Sequence, residues 1–324
     1  MKKTVGIAFL ITIAMLLIPL SVINNGSSIS ASTSAENIPA KLPSAKEAAS
    51  EVFRVCDAAT GKVTEMDAEE YIFGVVAAEM PALYEEEALK AQAVAAYTYA
   101  CCRRAENSHK SYDITTDHTT DQSFITEKAA REKWGDNADT YVNKIKKAVE
   151  DTSGYMITCN GKPITAVYHA ISSGKTEDCK NVWGRELSYL KPVVSEGDRL
   201  SPDYIEETTF TIEQIKEKLA EEVELSSDAA SFFGECSRTE SGTVTKIKVC
   251  SESLTGARLR SLLDLRSTNF EVKYTENGFV FTTYGYGHGV GMSQYGANYM
   301  AKQGSDFKEI LTHYYTGCKV EKIS

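Results

Sequence analysis

The amino-acid sequence predicts an α+β fold with two lobes around a groove, preceded by one N-terminal transmembrane helix. Helical patterns cluster between residues 66 and 104, whereas alternating strand patterns dominate from 154 to 282. The 324 residues, 42% hydrophobic and 25% charged, are enough for one large domain or two smaller ones. The net charge of −10 argues against a nucleic-acid partner, since such proteins usually present a basic surface.

The N-terminus predicts a membrane anchor. Lys2 and Lys3 are followed by an uncharged stretch of twenty residues, 4–23. This stretch is long enough to span a bilayer and exceeds the apolar region of a typical cleaved signal peptide. The lysines should stay in the cytoplasm, which places the rest of the chain outside the cell membrane. Cleavage of a signal peptide near residues 29–31 is the alternative.

The chain therefore divides into three predicted segments: a signal anchor at 1–23, a flexible linker at 24–50 and a folded domain at 51–324. The linker contains few bulky apolar residues, so it cannot bury a core of its own.

The eight cysteines do not define a framework. They allow too many pairings for the sequence to choose one, and the C-x-x-C spacing of a zinc site is absent. Cys101 and Cys102 are adjacent, which suits neither a shared metal nor an easy bridge. Because a chain of this size needs no disulfides to fold, we interpret the cysteines as buried or unpaired thiols, with or without one disulfide.

The folded part begins with a predicted strand at 52–57 and continues with two helices. Asp67 predicts the start of the first helix, because Glu70 follows three positions later and completes a capping box. Pro81 ends this helix. Residues 84–104 predict the second helix, whose many alanines allow neighbouring elements to pack closely.

A carboxylate stands at the end of the first helix's apolar stripe. Ile72, Val75 and Val76 mark one face, and the next position on that face is Glu79. Desolvation and the negative end of the helix dipole both raise the pKa of such a group, which is what a general acid needs near neutral pH. The alternative is a glutamate at a frayed helix end that points into solvent.

The C-terminal part predicts strands followed by helices. Residues 243–254 and 271–285 alternate like half-buried strands, and the second stretch contains an E-N-G hairpin turn. Helical patterns follow at 293–303, and Asp306 with Glu309 forms another capping box.

Two loops carry candidate site residues. In GYGHGVGMSQYGA, residues 285–297, glycines flank His288, which is a candidate base, metal ligand or loop anchor; the G-K-[ST] of a P-loop is missing. Ser172, Ser173 and Lys175 form a polar turn suited to hydrogen bonds with sugar hydroxyls. Trp183 is either a stacking platform for a sugar or a core residue.

Several ordered blocks resemble the stage II sporulation protein D family. EEYIFGVVAAEMPALYEEEALKAQAVAAYTYA (69–100) looks like its signature. Further blocks are similar at 168–193, with H-x-x-S-x-G and V-W-G; at 254–272; at 285–297; and at 310–318, ILTHYYTGC. The similarity covers almost the whole chain after residue 50.

The resemblance implies a membrane-anchored peptidoglycan lytic transglycosylase, and we expect this chain to need no cofactor. Its catalytic acid is the glutamate of Ala-Glu-Met-Pro, which Glu79 matches. The implied reaction cleaves the β-1,4 bond between N-acetylmuramic acid and N-acetylglucosamine and leaves a 1,6-anhydro end. The glycan groove is then expected between the end of the Glu79 helix and the glycine-rich loop, whose glycines would let the backbone come close to a sugar chain or to that helix.

The resemblance also implies a setting for the reaction. The catalytic domain would act in the septal space between forespore and mother cell during engulfment. Its implied partners are stem-peptide-free glycan strands, a sporulation amidase or endopeptidase that strips the peptides, and a membrane scaffold protein.

The sequence departs from the family at a metal site. Some members carry a zinc site of His, Cys, His and Cys before a glutamine. Here His109 matches the first ligand, but Thr115, Thr120 and Asp121 replace the others, while Gln122 stays aligned.

A substitute zinc site from His109, His118, Cys101 and Cys102 is an alternative with non-standard spacing. We expect no metal in the catalytic site. Tyr97 is a second departure, because the family usually has arginine at that position.

Glu79 is thus the predicted catalytic residue. The predicted substrate-binding residues are His288, Ser293, Gln294, Ser172, Ser173, Lys175 and Tyr97. Two alternatives remain open. The chain could be a non-catalytic cell-wall binding protein that enhances a partner amidase, since amidase enhancers share much of the signature. It could also be a hydrolase if a second carboxylate lay opposite Glu79, and the candidates are Asp113, Asp117, Asp121, Glu177 and Asp178.

Overall fold

The computed structural model describes residues 43–323, which combine helices with several small sheets. The helices are α1 Ala45–Ala48, α2 Ala68–Glu79, α3 Glu86–Glu106, α4 Glu127–Trp134, α5 Ala138–Asp151, α6 Cys179–Trp183, α7 Ile212–Leu219, α8 Gly256–Leu263, α9 Gln294–Lys302 and α10 Phe307–Tyr314. The strands are β1 Val52–Cys56, β2 Val63–Asp67, β3 Ile114–Thr115, β4 Tyr155–Cys159, β5 Lys162–Pro163, β6 Tyr168–His169, β7 Ile205–Phe210, β8 Phe233–Arg238, β9 Val244–Val249, β10 Glu252–Leu254, β11 Phe270–Thr275, β12 Gly278–Tyr284, β13 Met292–Ser293 and β14 Lys319–Lys322.

The strands pair locally into small sheets with the orders β2-β1-β3, β10-β9-β8, β11-β12-β7, β13-β6 and β14-β4-β5. Most of these pairs are antiparallel, whereas β1–β3 and β6–β13 run parallel. Separate helices and mainly antiparallel sheets confirm the predicted α+β class.

The buried apolar side chains form two clusters. The larger one, the first core, contains residues of α2, α3, α5, α9 and α10 with β1 and β4. The smaller one, the second core, lies among strands β7 to β12 and helices α7 and α8. Its buried aromatic members are Phe210, Phe232, Phe270, Phe279 and Phe281.

Helices α2 and α3 form the centre of the first core. Asp67 caps α2, and its carboxylate accepts the Glu69 N–H rather than completing the predicted capping box with Glu70. The alanines of α3 between residues 88 and 100 are buried, so the neighbouring helices pack close to its backbone. The predicted first and second helices therefore lie within a few residues of α2 and α3.

The N-terminal boundary differs from the prediction. The predicted anchor at 1–23 lies outside the described residues, and none of the helices within 43–323 is long and apolar enough to cross a membrane. The end of the predicted linker is folded, however. Ser44 forms a capping box with Glu47, and Ala48 of the short helix α1 is buried in the first core.

The glycines around His288 make room for another part of this chain. Gly287 has a φ of 110°, and a Cβ on it would lie 2.9 Å from the Cβ of His169. Gly291 has a φ of 72°, and its Cβ would lie 2.1 Å from the Val167 carbonyl oxygen. The prediction that these glycines approach a sugar or the Glu79 helix is therefore corrected. They approach residues 167–177 instead, because no side chain fits between the two backbones.

Replacement of Gly291 by alanine should destabilise the protein more than the same change at Gly317. Both residues have almost the same φ, 72° and 70°, but Gly317 has no atom within 4 Å of its ideal Cβ position. The difference between the two variants therefore isolates the clash with Val167. We expect Gly291→Ala to lower the free energy of unfolding by about 2 kcal/mol more than Gly317→Ala in urea titrations. If both variants lost the same free energy of unfolding, a Cβ at Gly291 would not clash with Val167.

Candidate active site

Glu79 is the last residue of α2 and is half-buried. Burial raises the pKa of its carboxyl above the ordinary value, while hydrogen bonds from Ser123 and the charge of His118 act in the opposite direction. The backbone N–H of Ser123 donates to Glu79 Oε1 at 2.8 Å, and the Ser123 side chain also bonds to the carboxylate. Burial and fixed donors are the environment of a tuned acid rather than of a solvent-exposed helix end.

Gly74 positions Ser123 against Glu79. A Cβ on Gly74 would lie 2.2 Å from the ring of Phe124 and 2.7 Å from the Ile125 carbonyl oxygen. The Ile125 N–H donates to the Gly74 carbonyl oxygen, and the Phe124 ring stacks on Tyr71 at 5.8 Å. The absence of a side chain at Gly74 thus lets residues 122–125 cross α2 at backbone contact.

A hydrogen-bonded network extends from this crossing. The Tyr71 hydroxyl donates to Gln122 Oε1 at 3.3 Å, and Gln122 Nε2 donates to the Tyr168 hydroxyl at 2.8 Å. Burial raises the pKa of both tyrosines far above the usual range, and the charge of Glu79 adds to this rise. Tyr168 therefore lies near Glu79 with its hydroxyl protonated.

Tyr168 connects Glu79 to the glycine-rich loop. Its strand β6 pairs with β13, with Tyr168 opposite Met292. His288 makes a hydrogen bond to the Tyr168 backbone, and its ring lies 5.0 Å from Trp183. The structure therefore links Glu79 through Tyr168 to His288 and Trp183.

Both histidines of this region are neutral near physiological pH. Burial lowers the pKa of His288 to about 3 and that of His169 to about 4. The Val290 N–H donates to His288 Nδ1 at 3.1 Å, and Nδ1 of His169 lies 3.0 Å from the Val290 carbonyl oxygen. Within the described part of the chain, the buried Nε2 of His169 has no hydrogen-bond partner. Neither ring is suited to act as a base near neutral pH.

An ion pair holds the segment that contains Thr115 and Asp121. Arg103 Nε donates to Asp121 Oδ1 at 2.6 Å, and the Thr115 N–H donates to Asp121 Oδ2 at 2.9 Å. The Asp121 side chain is fully buried. Asp121 therefore fixes this segment through Arg103.

The substitute zinc ligands do not fit a metal. His109 and His118 are exposed, whereas Cys101 and Cys102 are fully buried. Burial raises the pKa of both thiols to about 12, which disfavours the thiolate that zinc requires. No group of three or more His, Cys, Asp or Glu residues within 43–323 is arranged to hold a metal ion.

Three predicted substrate contacts are buried structural residues instead. Ser293 is fully buried, and its hydroxyl donates to Asp198 Oδ1 at 2.7 Å. Ser172 is also buried, and its N–H donates to Asp198 Oδ2 at 2.9 Å. Gln294 Nε2 donates to the buried Gln92 at 3.3 Å. A glycan cannot reach these side chains, because the protein interior satisfies and encloses them.

The other predicted contacts have different surroundings. Lys175 is half-exposed and pairs with Glu240 at 3.2 Å, and the Ser173 hydroxyl donates to the Ser241 carbonyl oxygen at 2.7 Å. Tyr97 does not lie with Glu79. It lines a cavity of about 340 Å³ at the opposite end of α2, roughly 16 Å away at the usual helical rise.

Sequence reasoning did not identify Gly74, Ser123 and Tyr168 as site residues. Gly74 interrupts the apolar stripe of α2, and an isolated glycine in a helix suggests close packing. Tyr168 adjoins His169 inside a block that resembles the family. Ser123 had no signal of its own, because its role depends on the crossing of α2 by residues 122–125.

Comparison with known proteins identifies the family. A family model described as stage II sporulation protein matches residues 57–159. The chain is 37% identical over 82% of its length to stage II sporulation protein D of Bacillus subtilis (strain 168), and the match covers 77% of that protein. A similar protein from Bacillus amyloliquefaciens is 36% identical over 80% of this chain, covering 76% of the relative. The chain belongs to the stage II sporulation protein D family.

The sporulation protein D family is also related to a protein of different description. The chain is 29% identical over 75% of its length to the amidase enhancer of Bacillus subtilis (strain 168), although the match covers 39% of that longer protein. The predicted resemblance to the sporulation protein D family is thus confirmed, and so is the predicted similarity to an amidase enhancer.

Replacement of Glu79 by glutamine should stabilise this sporulation protein D family member near neutral pH. Burial raises the folded-state pKa of Glu79 above the ordinary 4.5, so the free energy of unfolding falls as the pH rises from 4.5, where the unfolded chain ionises, to the folded-state pKa. That loss disappears as the pH falls below 4.5, where the carboxyl is protonated in both states. Urea titrations across this interval should show the two proteins converging at low pH.

Glu70→Gln is the matched control, since Glu70 is exposed at the other end of α2. This variant should not reproduce the pH-dependent gain. If Glu79→Gln and wild type differed by the same amount at every pH, the carboxyl of Glu79 would not be desolvated.

Proposed function

We propose that this protein is a peptidoglycan lytic transglycosylase with Glu79 as its catalytic acid. The observation that carries the proposal is that burial raises the pKa of the half-buried Glu79 carboxyl, while the other candidate carboxylates are bound elsewhere. A glycoside hydrolase of the usual type needs two carboxylates, whereas a lytic transglycosylase can use one.

Three of the possible partner carboxylates are held by nearby groups. Asp113 is buried and forms an ion pair with Arg54 at 2.6 Å. Asp121 is paired with Arg103. Asp117 accepts hydrogen bonds from the threonines that follow it, and these bonds lower its pKa. Each of these three carboxylates is therefore engaged by neighbouring groups.

The remaining two candidates are also engaged. Glu177 is buried, and it accepts hydrogen bonds from Asn181 Nδ2 at 2.8 Å and from the Thr239 hydroxyl at 2.6 Å. Asp178 caps α6 and pairs with Lys191 at 3.1 Å. Because all five candidate second carboxylates are engaged in this way, we favour a reaction that uses the Glu79 carboxyl alone.

The proposed reaction uses Glu79 twice. Its protonated carboxyl donates a proton to the oxygen of the bond between N-acetylmuramic acid and N-acetylglucosamine as that bond breaks. The resulting carboxylate then accepts the proton of the sugar's own 6-hydroxyl, which attacks the anomeric carbon. The intramolecular attack gains from proximity and leaves a 1,6-anhydro end without consuming water. A raised pKa suits the first step, because the carboxyl must hold its proton near neutral pH.

We propose that Tyr168, His288 and Trp183 form one wall of the glycan groove. Trp183 and His288 are half-buried and offer ring faces for a sugar, while the protonated Tyr168 hydroxyl is a hydrogen-bond donor. The charge of Arg260 lowers the pKa of His288, so the guanidinium lies nearby. Removal of the stem peptide exposes the lactyl carboxylate of N-acetylmuramic acid, which would pair with this cation.

The proposed setting follows from family membership and from the N-terminal sequence. Residues 4–23 would anchor the protein in the cell membrane, and the folded domain would act on septal peptidoglycan during engulfment in sporulation. Naked glycan as the substrate requires an amidase or endopeptidase that acts beforehand, and a membrane scaffold protein would bring the enzymes together.

A second candidate function rests on the amidase-enhancer relative. In that function the groove binds glycan without cleaving it and promotes a partner amidase. The position of Glu79 favours the catalytic function, because a binding groove has no need of a desolvated acid.

Glu79→Gln should abolish glycan cleavage by the purified protein. Amidase-treated glycan strands are incubated in oxygen-18-labelled water, and the products are analysed by mass spectrometry. Wild type should release 1,6-anhydro ends that are one water lighter than hydrolysis products and carry no label. Because the general acid is lost, we expect the rate to fall at least ~100-fold in Glu79→Gln.

Glu70→Gln makes the same chemical change at the exposed end of α2 and should retain the wild-type rate. Oxygen-18 in the newly formed glycan ends would indicate that the protein is a hydrolase. Release of anhydro ends by Glu79→Gln at the wild-type rate would remove Glu79 from the mechanism. Absence of cleavage by wild type, together with stimulation of an added amidase, would support the second candidate.

Ser123→Ala should move the alkaline limb of the pH profile to higher pH. The variant keeps the backbone N–H but removes the side-chain hydrogen bond that lowers the pKa of Glu79. A general acid loses activity above its pKa, so a higher pKa extends activity to higher pH. We expect less than a tenfold change in kcat/KM at the optimum. Ser111→Ala, at an exposed position of the same connecting segment, should leave the limb in place. If the alkaline limb stayed at the wild-type pH in Ser123→Ala, Glu79 would not be the general acid that this limb reports.

A further inference from the structure

Two cysteines distant in sequence face each other on the sheet β14-β4-β5. Strands β4 and β14 are antiparallel, with Lys319 opposite Thr158 and Val320 opposite Ile157. Continuing this register by one residue places Cys318 opposite Cys159. Directly opposed residues of antiparallel strands project to the same face, with their Cβ atoms about 4.5–5.5 Å apart. This spacing is close to what a disulfide requires.

The two thiols already interact. The structure holds both residues as thiols, with a side-chain hydrogen bond between them. Cys318 is buried, and burial together with the neighbouring Cys159 raises the pKa of its thiol to about 12. Cys159 is half-exposed, so a reagent in solution can reach it first.

The other cysteines lack this arrangement in the described part of the chain. Cys236 is exposed and lies opposite Ile247 in the register of β8 and β9. Cys56 lies opposite Val63 and Thr115 on its two neighbouring strands. The Sγ of Cys250 accepts a hydrogen bond from the Ser226 N–H at 3.5 Å. The Cys179 thiol donates to the Arg185 carbonyl oxygen at 2.7 Å. Cys101 and Cys102 are consecutive residues buried within α3. The pair at the end of β4 is therefore the one that strand geometry aligns.

We propose that Cys159 and Cys318 form a disulfide that ties β14 to β4. The oxidant is a small-molecule disulfide such as cystine or oxidised glutathione. The Cys159 thiolate attacks one sulfur of that disulfide, which forms a mixed disulfide and releases one small thiol. The Cys318 sulfur then attacks Cys159, which releases the second small thiol. Two protein thiols are oxidised, one small disulfide is reduced, and the two protons leave on the released thiols.

The bond would hold the C-terminal end of the first core in place. It closes a loop of roughly 160 residues, and long loops gain most from a crosslink. Cys318 follows α10 closely, and the Tyr315 hydroxyl at the end of that helix donates to the Val167 carbonyl oxygen at 2.9 Å. Val167 precedes Tyr168, so the disulfide would secure an element that supports the proposed groove. An oxidising space outside the cell membrane would preserve the bond.

The test uses the purified full-length chain, divided between buffer with oxidised glutathione and buffer with a phosphine reductant. After alkylation and non-reducing proteolysis, mass spectrometry should find peptides of Cys159 and Cys318 joined, two hydrogens lighter than their sum. Thermal unfolding should give a Tm about 5–10 °C higher in the oxidised sample. Neither the crosslinked peptide nor the difference in Tm depends on glycan cleavage, so this experiment tests the disulfide independently of the proposed function.

Cys159→Ser and Cys318→Ser should each remove the difference in Tm between the two buffers, whereas Cys236→Ser should retain it. Alkylation of both Cys159 and Cys318 after exposure to the oxidant would overturn the proposal, as would a crosslink between other cysteines. Because the mapping is performed on wild type, the result remains decisive even if a variant fails to fold.

Discussion

The close approach of residues 122–125 to α2 at Gly74 is the constraint on which the candidate site depends. A side chain at Gly74 would overlap the Phe124 ring and the Ile125 carbonyl group, so the crossing exists only because that position is glycine. The crossing covers the end of α2, which desolvates Glu79 and delivers the Ser123 N–H to its carboxylate. One backbone contact therefore sets both the burial that raises the pKa of the acid and the hydrogen bond that limits the rise.

A second constraint couples the glycine-rich loop to the segment that precedes α6. Gly287 and Gly291 allow this loop to lie against residues 167–177, and the buried carboxylate of Asp198 joins the same elements by accepting hydrogen bonds from Ser172 and Ser293. Burial raises the pKa of Asp198, and these donors counter the rise. Polar residues that look like sugar contacts in the sequence thus form an internal network, which holds His288 beside Tyr168.

Local signals predicted the elements that depend on local chemistry. The Asp306–Glu309 capping box, the E-N-G turn between β11 and β12, and the end of α2 near Pro81 agree with the sequence, since caps and turns involve neighbouring residues. Glu79 was found from its place on an apolar stripe and from the family motif. The role of Ser123 and the burial of Ser293 could not be predicted, because each depends on a residue far away in the chain.

Residues 243–254, predicted as a strand, form the two strands β9 and β10 because Cys250 adopts a positive φ of 52° between them.

The charges around the candidate site restrict the chemistry that it supports. The pKa of His288 falls to about 3 and that of His169 to about 4, so neither imidazole can accept a proton efficiently near neutral pH. The Tyr168 phenol stays protonated. Glu79, whose pKa burial raises, is then the group beside this wall that is suited both to give and to receive a proton. A reaction with one proton-transfer group gains most when the substrate supplies its own nucleophile, because no second residue is then needed to activate water. The 6-hydroxyl of N-acetylmuramic acid meets that requirement, which is why we propose transglycosylation rather than hydrolysis.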